Sequence, residues 1–172
     1  MKANIWAIAF AQALCSMAPG SAMAQAGPDQ EHRANPEARL FSPTANAQLQ
    51  LNQALAVAES EHKRVVVVMG ADWCHDSRAL AGWLETPRFT EMMKDRYLVI
   101  FVDVGTPQIG KGRNLDIAKH FGIRKVKGTP LLMVVSADGK RLNSKRDAAS
   151  WRNAASRTEQ SVFAYFDSFT PA

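Results

Sequence analysis

The residue with the clearest chemical potential in this 172-residue chain is Cys74, which opens the run Cys74-His75-Asp76-Ser77-Arg78. It follows directly on a valine-rich stretch and stands at the head of a segment rich in helix formers. A cysteine in that position has a reason to react. The first turn of a helix presents unpaired amide hydrogens and the positive end of the macrodipole, and both favour a thiolate over a thiol. Arg78 lies one helical turn further on, and His75 adds positive charge when protonated. A buried, inert cysteine is the alternative. The polar flank of Asp72, His75, Asp76, Ser77 and Arg78 argues against it. The chemistry on offer is nucleophilic attack by sulfur.

The elements that must hold this thiol can be read from periodicity. Residues 46–61 carry Leu49, Leu51, Ala54, Leu55, Val57 and Ala58 near helical spacing. Val65 to Met69 is an unbroken β-branched and apolar run bounded by Gly70, the pattern of a strand buried on both faces. Residues 77–96 read as a helix that Pro87 must kink or split, since proline lacks the amide hydrogen and clashes with the preceding turn. Residues 97–103 form a second buried strand, and residues 105–112 a glycine-containing loop. Residues 114–121 form a short helix with Asn114 as N-cap and Gly122 as its stop. Leu131 to Val135 is a third strand, and Asp138-Gly139 favours a tight hairpin into a short fourth strand around Arg141 and Leu142. Residues 147–169 place Trp151, Ala155, Val162, Phe163 and Phe166 on a helical face. Strand and helix alternation followed by a hairpin predicts an α/β fold, a mixed central sheet with helices on both faces.

The N-terminus predicts export. One positive charge at Lys2, an apolar stretch over residues 5–18 and the small-residue site Ala22-Met23-Ala24 make a secretory signal peptide over residues 1–26. The apolar run falls short of the roughly 20 residues that a spanning helix needs, so stable membrane insertion is not expected after cleavage. Cys15 would leave with the signal, making Cys74 the single thiol of the mature chain. The compartment would be the periplasm if the source is bacterial, where an unpaired cysteine is a candidate reactive or intermolecular thiol. Residues 27–45, polar and punctuated by Pro28, Pro36 and Pro43, read as a flexible leader, leaving residues 46–170 as one domain.

The formal charge of +5 becomes +4 without Lys2, with bases and acids interspersed, so nucleic acid is not an expected partner. His32, His62 and His120 lack ligand spacing, so no metal and no bound cofactor are expected. Arg124, Lys125 and Lys127 read either as a solvated loop or as a cradle for the carboxylates of glutathione or an acidic peptide.

Ala71-Asp72-Trp73-Cys74 after the valine-rich strand, and Gly128-Thr129-Pro130 before the hairpin, resemble the Trp-Cys-x-x-Cys and cis-proline motifs of the thioredoxin superfamily. The run over residues 55–105 is similar to bacterial exported thioredoxin-like proteins with a Gly-Ala-Asp-Trp-Cys signature, and the likeness extends over about residues 46–166. The resemblance implies a thioredoxin-like fold, Cys74 as nucleophile, Trp73 as its aromatic neighbour, Pro130 as the cis-proline and Thr129 as a source of backbone hydrogen bonds to a bound peptide. Two departures accompany it. Ser77 stands where the family has its resolving cysteine, and Val68 where dithiol members keep a buried acid. Serine can hydrogen-bond a thiolate but cannot attack a mixed disulfide.

The implied activity is monothiol disulfide exchange with cysteine-containing exported proteins, resolved by an external thiol such as glutathione. The alternative is a client-binding or chaperone-like module without turnover, as the Cys-x-x-Ser members of the protein disulfide isomerase family suggest.

Overall fold

Seven residues in succession, Arg64–Gly70 (β1), are buried, with Val65 to Met69 fully inaccessible. β-Branched side chains suit a pleated strand packed on both faces, and this strand is the centre of the sheet. In the computed structural model, which describes residues 35–169, β1 pairs in parallel with Tyr97–Asp103 (β2) and antiparallel with Leu131–Val135 (β5). Val67 lies opposite Ile100 on one side and Met133 on the other, giving the order β2-β1-β5. The expected signal segment, the start of the leader, Cys15 and His32 lie outside the described residues.

Alternation along β1 builds a core on each face. Val65, Val67 and Met69 pack with helix α1 (Ala47–Glu61), helix α4 (Leu115–His120) and Ala148 of helix α5 (Lys145–Ser150). Val66 and Val68 pack with helices α2 (His75–Leu84), α3 (Pro87–Arg96) and α6 (Glu159–Asp167), together with Trp151. This is the mixed sheet with helices on both faces that the order of elements predicts. Asn46 caps α1 by accepting from the Leu49 amide at 3.0 Å. Pro87 splits the long helical segment and becomes the first residue of α3, where its missing amide hydrogen costs nothing.

Four local expectations are corrected. The tail is three pieces and not one helix: α5, a 3-10 stretch Trp151–Ser156 with a non-helical Asn153, and α6, restarted by Thr158 accepting from the Ser161 amide. The loop at 105–112 contains a small ribbon of Gly105–Thr106 (β3) and Lys111–Gly112 (β4). Asn114 is the N-cap residue of α4 as expected, but it is left-handed and its side chain makes no cap bond; its side-chain amide donates instead to the Asp103 carbonyl at 2.8 Å. The hairpin turns at Gly139, φ 80°, but the fourth strand shrinks to one bridge between Val135 and Arg141. The Asn143 side chain takes the place of further ladder bonds, accepting from the Val134 amide at 3.1 Å and donating to the Leu132 carbonyl at 2.9 Å.

The largest correction concerns residues 35–45, expected to be flexible leader. They form a strap against the domain. Phe41 is 1% exposed and meets Phe101 edge to face at 5.5 Å, and the Ala38 amide donates to the Arg78 carbonyl at 3.1 Å. Asn35 donates to the Ala155 carbonyl. Gly82 makes this close approach possible, since a β-carbon there would stand 2.0 Å from the Pro36 carbonyl oxygen.

Candidate active site

Cys74 is the N-cap residue of α2, reached through a tight turn in which its amide donates to the Ala71 carbonyl at 3.0 Å. Among the described residues no acceptor takes the amide hydrogens of His75, Asp76 or Ser77, so the first turn of α2 keeps its donors open at the sulfur end. The thiol is partly exposed and donates to the Thr129 carbonyl at 3.5 Å. The Thr129–Pro130 peptide is cis, and both residues are buried at the mouth of β5. Two segments 55 residues apart in sequence therefore meet at one sulfur atom.

Trp73 is 51% exposed, with its indole N–H donating to the Gly105 carbonyl at 2.9 Å. Gly105 is held in turn by its amide bond to Asp103 at 3.1 Å, and Arg113 pairs with the same carboxylate at 3.2 Å. Asp76 accepts from the Ala155 amide at 2.9 Å, tying the start of α2 to the 3-10 stretch.

Ser77 lies inward. It is fully buried, its hydroxyl has no partner among the described residues, and a β-carbon on Gly70 would come within 2.6 Å of it. The serine is thus not bonded to Cys74: the helix turns its side chain down onto the sheet. Val68, also inaccessible, leaves no acid in this part of β1.

Sequence reasoning missed Glu37. Its carboxylate accepts from His75 Nδ1 and from Arg78 Nε, each at 2.7 Å. The Arg78 hydrogen bond is the main cause that holds the Glu37 carboxyl below its ordinary value, and Glu37 raises Arg78 in return. Arg78 and Arg39 both donate to the Asp72 carbonyl, at 3.0 and 3.2 Å, and the Phe41 amide donates to the Asp72 carboxylate at 3.2 Å. The two side chains expected to act on the thiol are therefore shared with an acid from the strap. No sequence signal marks it, because Glu37 sits in a polar stretch 38 residues from His75.

The sequence profile of the Thioredoxin-like family matches residues 45–137, a span that contains both Cys74 and the cis Pro130. The chain belongs to the thioredoxin-like family. Among solved structures, this thioredoxin-like protein is similar to the disulphide isomerase from Xylella fastidiosa Temecula1, at 29% identity over 76% of this chain and 95% of that one, TM-score 0.67. It is also similar to a poplar thioredoxin h mutant, at 17% identity over 80% and 95% of the two chains, TM-score 0.46. A third is the reduced C-terminal domain of Neisseria meningitidis DsbD, at 22% identity over 62% and 96%, TM-score 0.39. No curated protein matches the chain. In this thioredoxin-like fold no helix among the described residues is long and apolar enough to cross a membrane.

Proposed function

We propose that the protein is an exported thiol-disulfide oxidoreductase that works through Cys74 alone. The observation that carries this reading is the placement of the Cys74 sulfur: partly exposed, at open helix-start amides, and against the carbonyl of the cis-proline loop. The family and the structural likeness to a disulphide isomerase support it.

The Cys74 thiolate attacks one sulfur of a substrate disulfide, forming a mixed disulfide and expelling the other sulfur as a thiolate that takes up a proton. Ser77 has no sulfur with which to complete a second exchange. An external thiol such as glutathione then attacks the mixed disulfide, leaves as a disulfide with the substrate, and returns Cys74 as thiolate. Trp73, Thr129 and Pro130 border the substrate, His75 adjoins the nucleophile, Ser77 is buried in the same helical turn without bonding it, and cysteine-containing exported proteins are the substrates. Export rests on the signal-like residues 1–26.

The test is isomerisation of a scrambled disulfide protein with glutathione supplied. Activity above background that falls to background in Cys74→Ala is expected; no activity in the unmodified protein rejects the reading. A second reading, client holding without turnover, rests on Trp73, half-exposed beside Cys74 in sequence. Client binding that survives Cys74→Ala favours it.

A further inference from the structure

Between the loop that precedes the cis-proline and helix α5 lies a groove of about 450 Å³ whose rim is strongly cationic. Arg124, Lys125, Lys127, Lys145, Arg146 and Arg152 line it, with no acidic residue among the lining. None of these six lies within ion-pair distance of a carboxylate among the described residues, whereas Arg78, Arg88, Arg96 and Arg113 are all paired. Uncompensated like charges around a concavity focus a positive potential and favour an anionic visitor.

The groove shares a loop with the thiol site. Gly128 is in its wall, and the next residue, Thr129, places its carbonyl 3.5 Å from the Cys74 sulfur. The same loop therefore walls the groove at Gly128 and touches the reacting sulfur at Thr129. Gly128 also lets Arg152 lie across the loop, since a β-carbon there would stand 2.5 Å from the Arg152 Cδ. A chain joined to Cys74 through its own cysteine and laid along this loop, extended at about 3.3 Å per residue, would bring its next few side chains toward these cations.

We propose that this groove selects substrates whose cysteine is flanked by Asp or Glu, so that the site prefers acidic polypeptide segments. The proposal rests on the exchange chemistry assigned to Cys74 and names its substrate class. A nucleic acid is the less fitting polyanion, because it brings no sulfur to Cys74 and the groove lining contains no aromatic side chain on which a base could stack.

Two short peptides test it, alike except that the residues flanking a single cysteine are Glu in one and Gln in the other. Each is made with the cysteine blocked as a thionitrobenzoate disulfide, to read exchange by release of the chromophore, and with serine in its place, to read binding by fluorescence anisotropy of an attached dye. The Glu peptide is expected to bind and react about tenfold better at low ionic strength, and the ratio to shrink as salt is added. The ratio is expected to approach one in the combined variant Arg124→Gln, Lys127→Gln, Arg152→Gln. Equal binding of the two peptides, a preference that survives the triple variant or is indifferent to salt, or tighter binding of a single-stranded oligonucleotide than of the Glu peptide overturns the proposal. The two failures separate: acid-selective binding of the serine peptides without chromophore release keeps the groove and rejects exchange at Cys74, while release at equal rates with equal binding keeps exchange and rejects the groove.

Discussion

Ser77 and Glu37 are the two residues that set this thiol apart from a plain cysteine at a helix start. A buried hydroxyl without a partner is a small liability, and a thiol tolerates such a site better, being a weak donor and largely apolar. Ser77→Cys is expected to fold and to add a resolving thiol, shortening the lifetime of the Cys74 mixed disulfide by at least about tenfold, since the attack becomes intramolecular. Trapped mixed disulfide, followed by mass spectrometry without external thiol, checks this; an unchanged lifetime sinks it. Glu37 carries a pH signature. Its carboxyl is held below the ordinary 4.5 by Arg78 first and His75 second, so its ion pairs stabilise the fold above that value and are lost as pH falls through the lower folded value. The melting temperature of the unmodified protein should therefore exceed that of Glu37→Gln at neutral pH, with the gap closing in acid. Glu37→Gln should also speed alkylation of Cys74 at neutral pH, because Arg78 loses the acid that neutralises it.

At the scale of elements, the edge of β5 is finished by a side chain and not by a strand. Asn143, 5% exposed, bonds the Val134 amide, the Leu132 carbonyl and the Tyr165 hydroxyl at 3.1 Å. Tyr165 in turn donates to Asp147 at 2.8 Å, and burial with that carboxylate pushes the phenol well above its ordinary value. Asn143→Ala would strand two backbone groups inside the protein, at about 1–3 kcal/mol for each unsatisfied group. Denaturant unfolding should show a loss of about 2–6 kcal/mol. A loss under about half a kcal/mol would mean that backbone or water replaces the amide, as at an ordinary surface position.

For the whole molecule, the sheet separates two cores, and the strap closes the one that also carries α2. Phe41 enters that core from outside the expected domain, joining the cluster that contains Leu80 and Leu84 and meeting Phe101. Phe41→Ala should cost about 3 kcal/mol through the cavity it leaves. For a domain of this size that lowers Tm by roughly 10 °C. Because the strap also carries Glu37, the same variant should raise Cys74 alkylation, linking a stability measurement to a reactivity measurement. Unchanged alkylation in Phe41→Ala would show that Glu37 holds its place without the aromatic anchor.

What the chain determines by itself is local and periodic. The run Val65 to Met69 specifies a central strand whatever it pairs with, Pro87 divides a helix through its own missing hydrogen, and Cys74 lands at a helix start because a strand ends just before it. Each follows from neighbours within a few residues. Only the tertiary structure decides that Glu37 meets His75 and Arg78 across 38 and 41 residues, that Asn143 stands in for a strand, and that Ser77 faces Gly70 and not the sulfur. Those placements depend on which surfaces come together, and an exposed glutamate or a proline-punctuated stretch has the same local signature whether it is solvated or packed. The cationic groove follows the same rule: its charges are visible in the chain, but their encirclement of one cavity arises when α5 packs near the loop that also contacts Cys74.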